Sequence, residues 1–300
     1  MATQIQTNTA NVIDSTLLAE AQLSYANEPR DAILDIAHNF SSMNEAGGHT
    51  VTVPILNNLT VTATSDGALA AAQNFTITNV ALTIDKFLSG RYSQTWRSAI
   101  FQNQKLGMYA IVEFLKAIDK AIATELHALY ASAGLGVDAS STQLIDDTDI
   151  RNMRLKMRKA KHYGGIFSFV HHDNEDAMLG TTKYENAETM GSTEAVRNGF
   201  IKRVRGIDFF TTHLAATSTG SSQQLFGAIT SNPLDAPLAW MAKPIEDGNP
   251  HVILNLPEKG ARIREFWTQA GTRDLIVDLN FGVKSIRPGL LGVFESKPAA

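Results

Sequence analysis

The sequence predicts an α+β fold, and three observations carry that prediction. One long stretch repeats its apolar residues with the period of a helix. An earlier stretch alternates with the period of a strand. The last third of the chain breaks into short strand-like runs separated by Gly and Pro. Helices grouped early and short strands late indicate α+β.

The long helix is read from about Gln94 to Ala133. Met108, Ile111, Leu115, Ile118, Ile122, Leu126 and Leu129 recur at steps of three or four, while Glu113, Lys116, Asp119, Lys120 and Glu125 fall off that stripe. Gly134 and Gly136 are expected to end it. At 1.5 Å per residue it would be on the order of 55 Å long. No other stretch has comparable length, so the helix is expected to act as a spine with β-structure packed along it rather than as one member of a bundle.

Residues 1–48 read as an N-terminal arm. Asp14, Ser15 and Thr16 can cap a short helix from Leu17 to Tyr25, and Pro29 breaks it. A second helix is expected over Asp31–Phe40. Both are too short to be stable alone and must lie on something larger. Gly47-Gly48 marks a turn, after which Val51, Val53 and Ile55, then Leu59, Val61 and Ala63, alternate with threonines and other residues. Ser65-Asp66-Gly67 is a turn signal. The return strand, Phe75–Ile84, changes parity between Ile77 and Val80, which predicts a bulge near Thr78-Asn79. Residues 49–86 thus form a two-stranded ribbon. An isolated hairpin is marginal in water, so the ribbon is expected to dock on another chain.

Ala133–Thr142 is a Gly/Ala/Ser linker. Asp146, Asp147 and Asp149 then precede Arg151, Arg154, Lys156, Arg158, Lys159 and Lys161, acid first and base last, as a helix dipole favours. Ile150, Met153, Met157 and Ala160 form the apolar stripe, and Gly164-Gly165 closes this helix. Strands are expected at Ile166–Val170, at Phe200–Leu214 with a break at Gly206, at His251–Leu256, at Arg273–Arg287 and at Leu290–Phe294. Asp173–Leu179 reads as a short helix and Pro257–Gly271 as a polar connector with one helical turn at most.

Composition narrows the function classes. A hydrophobic content of 44% and a charged content of 19% fit a folded chain. A net charge of −4 argues against a dedicated nucleic-acid binder. The absence of cysteine excludes disulfides, thiolate nucleophiles and Cys-based metal sites. Met1–Asn11 shows no signal-peptide pattern, and no apolar run reaches membrane-spanning length, so a cytosolic protein without membrane contact is expected.

The order of parts resembles the tailed-bacteriophage major capsid protein, the Hong Kong 97-type fold family. Gly47-Gly48-His49-Thr50-Val51-Thr52-Val53-Pro54 resembles the family's glycine turn into its extended loop. Ala117-Ile118-Asp119, followed by Ala121 and Leu126, resembles its spine helix. Gly199 to Thr212, through Arg203-Val204-Arg205-Gly206-Ile207-Asp208-Phe209, resembles its Gly-x-Gly-Phe-x-Val hairpin, with Ile207 in place of the aromatic. Phe281-Gly282-Val283-Lys284 and Arg287-Pro288 resemble its closing strand.

The resemblance implies five parts: the N-terminal arm (1–48), the extended β-ribbon loop (49–86), a peripheral domain with the spine helix (87–142), an axial domain (143–271), and a returning strand of the peripheral domain with the C-terminus (272–300). It implies hexamers and pentamers tiling an icosahedral shell around double-stranded DNA contacted non-specifically, assembled in the host bacterial cytoplasm and ending in the virion. It also implies a portal and, because no long scaffolding segment precedes the arm, a separate scaffold protein. Some members weld subunits through a lysine in the extended loop. The ribbon Thr50–Ile84 has none, and Lys86 sits at its base, so non-covalent assembly is expected. The side chains expected at subunit contacts are Leu17, Ile33 and Phe40 in the arm, Val51, Val53, Val61, Phe75 and Ile77 in the ribbon, and Arg154 and Arg158 in the basic helix.

No enzyme, cofactor or metal is expected. His171-His172-Asp173 with Glu175 and Asp176 could suggest a metal-dependent hydrolase, but neighbouring residues on a strand point to opposite faces. Gly134-Leu135-Gly136 follows a helix rather than a strand, which does not suit a dinucleotide loop. The basic run Arg151–Lys161 could meet DNA, although its acidic start favours a solvated or intersubunit helix face. The nearest rival is an encapsulin-type compartment, which uses the same fold to hold cargo enzymes.

Overall fold

The computed structural model describes residues 18–26, 30–44, 48–56, 77–95, 105–136, 147–172, 174–175, 203–215, 217–218, 221–243, 245, 252–267 and 272–296. The arm contributes helix α1 (residues 18–26) and one helical turn, α2 (Ile33–Ile36). Strand β1 (His38–Asn39) follows. The ribbon is β2 (Thr50–Leu56) and β3 (Ile77–Thr83), and β4 (Lys86–Thr95) leads out of it. Helix α3, the spine, runs Lys105–His127 and tightens into a 3-10 turn at Ala128–Ser132. Then come β5 (Leu135–Gly136), α4 (Asp147–Lys159) and β6 (Ile166–His171). Strands β7 (Arg203–Val204), β8 (Ile207–Thr212), β9 (Thr217–Ser218) and β10 (Ser221–Ala228) follow. The chain finishes with β11 (Ala239–Ala242), β12 (Val252–Leu256), β13 (Ala261–Trp267), β14 (Thr272–Lys284) and β15 (Leu291–Ser296).

These strands make two sheets and the ribbon. The first sheet has the order β1-β11-β14-β13-β12, with β4 also paired to β14. In β14, Leu275, Val277, Leu279 and Phe281 point to one face and are buried beneath α3, which contributes Ile111, Leu115, Ile118, Ile122 and Leu126. The period-two and period-3.6 stripes thus meet face to face. The opposite face of that sheet is polar: Arg262 and Arg264 reach Asp278 at 3.0 and 2.6 Å, and Arg91 reaches Asp274 at 2.6 Å. The second sheet has the order β5-β15-β10-β6-β8-β7, with β9 on β10. Helix α4 packs Ile150, Met153 and Met157 into a separate core with Ile166, Val170, Ile207 and Phe226.

Several expectations need correction. Among the described residues the spine is the 23-residue helix Lys105–His127, about 35 Å, and Gln94 is not part of it. Gln94 and Thr95 end β4, opposite Arg273 and Thr272, because a ten-residue ladder to β14 takes the segment that helical reading absorbed. Gly134 is not a left-handed cap. Its missing Cβ lets the chain pass Pro288, whose carbonyl oxygen a Cβ would meet at 2.8 Å. Among the described residues of the ribbon there is no bulge near Thr78-Asn79: pairing runs unbroken from Thr50↔Thr83 to Leu56↔Ile77. The apparent parity shift arises because Ile77 is simply exposed. The helix expected over Asp31–Phe40 is one turn long, since His38 and Asn39 pair in parallel with Ala239 and Trp240. Ala160 lies past α4 and is exposed. The polar connector at Pro257–Gly271 contains β13, whose arginines lie on the polar sheet face and masked its alternation. Strand pairing also crosses the expected boundary at residue 271: β11, β12 and β13 join β14, whereas β15 joins the other sheet.

The ribbon base has a core of its own. Val53, Leu82 and Ile84 pack with Phe40, Ala239, Met241 and Ile286. It sits so close to β14 that a Cβ on Gly282 would meet the Thr83 carbonyl oxygen at 1.9 Å. Gly282→Ala is therefore expected to lower stability by about 1–3 kcal/mol through overpacking. Denaturant unfolding with limited proteolysis of the ribbon measures this, and wild-type behaviour would show that Thr83 does not rest on Gly282.

Candidate assembly surfaces

Two buried carboxylates tie the arm to the rest of the chain. Asp119 lies mid-way along α3 and is 7% exposed. It accepts hydrogen bonds from the Tyr25 hydroxyl of α1 and from Lys259 Nζ, while Arg30 Nε lies 3.8 Å away. The Arg30 guanidinium also stacks 4.7 Å from the Tyr25 ring centroid. Burial, then the hydrogen bond and charge of Asp119, push the Tyr25 phenol well above its ordinary value. The hydroxyl is therefore kept as a donor.

Asp31 forms the second junction. Its Oδ1 accepts from the Ile33 N–H at 3.0 Å, and its Oδ2 accepts from Thr212 Oγ1 at 2.6 Å and from His127 Nε2 at 3.1 Å. One carboxylate thus joins the arm, the last turn of α3 and the end of β8. His127 is 2% exposed and stands edge-on to Phe169, with centroids 5.1 Å apart. Burial alone would push the Asp31 carboxyl up. The hydrogen bond and electrostatic attraction of His127, with the bonds from Thr212 and Ile33, hold it below the usual carboxylate value instead. Both junctions face one cavity of about 240 Å³, to which Lys116 and Lys120 also contribute.

The sequence marks Asp119 only as a polar residue off the apolar stripe and as part of the spine segment Ala117-Ile118-Asp119, and marks neither Asp119 nor Asp31 as a junction. The available signal was Ala123 one turn later: small residues on that face leave room for α1 to cover it.

The expected contact residues divide sharply. Ile33, Phe40 and Val53 are buried inside the chain, at 0%, 2% and 1% exposure, so they are core residues and cannot be subunit contacts. The arm and ribbon base cover these side chains with the chain's own strands. Val51 is half-buried against the ribbon core. Ile77, 54% exposed, is available at the outer end of the described ribbon. Arg154 is exposed and Arg158 half-buried on α4. Leu17, Val61 and Phe75 lie outside the described residues, as does Asp173. His172 stacks on His213 with centroids 6.4 Å apart, and among the described residues no group of three His, Asp or Glu side chains could hold a metal ion. Among the described residues no helix is long and apolar enough to cross a membrane.

No family model and no curated protein sequence matches the chain. Solved structures match it over most of its length. One from Mycobacterium phage Che8 shares 18% identity, with 88% of this chain and 91% of that chain covered and a TM-score of 0.65. The mature capsid of bacteriophage PhiM1 matches at 9% identity, covering 91% and 89%, with a TM-score of 0.62. The holo-SrpI encapsulin complex of Synechococcus elongatus matches at 12% identity, covering 94% and 96%, with a TM-score of 0.58. The fold is thus that of shell-building proteins. In particular it is the Hong Kong 97-type fold, with arm, ribbon and spine in the order that the sequence led us to expect.

Asp31→Asn is expected to cost about 1–3 kcal/mol near pH 7, because three buried donors lose an ionised acceptor. The fold holds the carboxyl below its ordinary value of 3.8, so this stabilisation is present above that value and is lost as pH falls through the lower folded one. Thermal melts of both proteins at about pH 7 and about pH 3 should show the gap narrowing in acid. A gap that stays constant would remove the carboxylate charge from the account.

Proposed function

We propose that the chain is the major capsid protein of a tailed phage. It assembles non-covalently through hexamers and pentamers into an icosahedral shell around double-stranded DNA. The observation that supports this most is agreement in fold over nearly the whole chain with phage capsid structures. On this reading the first sheet with α3 is the peripheral domain and the second sheet with α4 is the axial domain, divided by strand pairing rather than at residue 271. The ribbon docks on a neighbouring subunit, with Ile77 and the half-buried Val51 on its approach. With no lysine between Thr50 and Ile84, the ribbon docks by β-pairing and by threonine and apolar contacts. The protein has no catalytic step of its own. It works with a portal and a separate scaffold protein, assembles in the bacterial cytoplasm and ends in the virion.

A second reading has its own support. The encapsulin match covers 96% of that chain, so the same fold could enclose cargo enzyme instead of DNA. Negative-stain microscopy of the purified chain should show closed particles. Nuclease-protected DNA inside them supports the phage reading, and a co-purifying enzyme supports the encapsulin one. Compact monomers at every concentration would defeat both.

Deleting Val61–Phe75 should leave a soluble subunit that no longer forms particles, as size-exclusion chromatography would show. Intact shells from that deletion would take the ribbon tip out of the mechanism.

A further inference from the structure

The outward face of α4 is charged in a way the rest of the chain is not. Ile150, Met153 and Met157 define the buried side of the helix. Arg151, Arg154 and Arg158 fall within about a sixth of its circumference on one solvent flank. Lys159 projects nearby, and Lys161 follows just past the helix end. Residues 147–161 hold six basic and two acidic residues, whereas the remainder of the chain holds 20 basic and 28 acidic ones. Both acids of the stretch lie in the first turn, and Arg205 engages Asp147. Arg158 donates to the His162 carbonyl at 3.3 Å, and Lys156 donates to that of Gly136. Arg151, Arg154, Lys159 and Lys161 pair with no acid among the described residues.

The helix end adds a second observation. Lys161 has φ 63°, its N–H bonds the Arg158 carbonyl at 3.0 Å, and the His162 N–H bonds that of Met157 at 3.2 Å. This is the closing motif in which glycine is the usual left-handed residue. A lysine there accepts backbone strain that glycine would avoid, and so keeps a cation in the row. Tyr163, 76% exposed with its ring centroid 5.9 Å from the Arg158 guanidinium, adds a flat surface at the same end.

An acidic row on a second copy would be the competing occupant. Among the described residues the exposed acids are Glu20, Asp35, Asp85, Glu113 and Glu258, each on a different element, so they form no matching row. A duplex backbone offers a row of phosphates, and arginine binds phosphate oxygens in pairs. We propose that this face of α4 is the surface through which the chain contacts duplex DNA, by its phosphates and without sequence preference. The inference rests on the shell reading above, in which enclosed DNA would meet this face.

The test titrates the full-length chain, before assembly, with a fluorescent mixed-sequence DNA duplex over a range of salt. Arg151→Gln/Arg154→Gln should weaken binding by about tenfold or more at low salt and reduce the slope of log affinity against log salt by about two. Lys161→Gly should bind severalfold more weakly with a melting midpoint no lower than wild type, which separates lost charge from lost fold. Leu155→Gln, changing the exposed apolar residue on the same face, should leave DNA binding and particle formation intact. Wild-type affinity in the arginine and lysine variants would overturn the proposal while leaving the shell reading standing. Loss of particles with unchanged DNA affinity in the arginine and Leu155 variants would overturn it too, assigning the face to subunit contact. A wild-type chain that forms no particles would end the shell reading, and this inference with it.

Discussion

Strand β14 is the constraint from which the rest of the structure follows. On one edge it pairs with β13 from Arg273 to Leu279 and then with β11 from Phe281 to Lys284. On the other it pairs with β4 from Thr272 to Phe281. A strand held on both edges has its side chains committed to two faces. Its buried face is apolar, so α3 must lie across it, and its other face carries Asp274 and Asp278, so the neighbouring strands must bring arginines. At Gly282 it has no side chain, and there the ribbon base comes down onto the backbone. The position of the spine, the polar sheet face and the ribbon's exit are three consequences of one thirteen-residue strand.

The arm is attached by different physics. Helix α1 and the turn α2 bury few large side chains, so apolar burial alone holds them weakly. Asp119 and Asp31 supply what packing does not. Each is a carboxylate largely removed from water, with donors from two or three separate segments. Such a charge is costly to bury unless every donor is in place, and therefore it specifies where the arm lies more sharply than it stabilises it.

Much of the fold was legible because its signals were periodic. The spine's stripe, the buried face of α4, the break at Gly206 and the strand through Val277, Leu279 and Phe281 all appear where the alternation places them. What failed to show in the sequence was long-range. Strand β4 is rich in Ser, Gly and Thr and reads as a strand only once β14 lies beside it. Strand β13 alternates charge with apolar residues because its charges have partners on β14. Ile33, Phe40 and Val53 looked like contacts because their elements are short, and shortness is visible in a sequence whereas the core that covers them is not. The two carboxylate junctions were hidden for the same reason: Asp31 and Thr212 are separated by 181 residues.

The buried ribbon base changes how association should be understood. The expectation was that the ribbon has little core of its own and docks on another chain, and that the arm must lie on something larger than itself. Instead three clusters of buried residues lie within the single chain, and one belongs to the ribbon base with Phe40. On the shell reading, folding and association are therefore separable. A subunit that folds alone meets its neighbours as a finished surface, and each contact has only to outweigh the cost of docking, not the cost of ordering a chain. Contacts of that kind can be individually modest, because in a closed symmetric assembly every subunit makes several at once. On the shell reading this favours closure over kinetic trapping. A wrongly placed subunit held by one modest contact leaves quickly, while a correctly placed one is held by all of them.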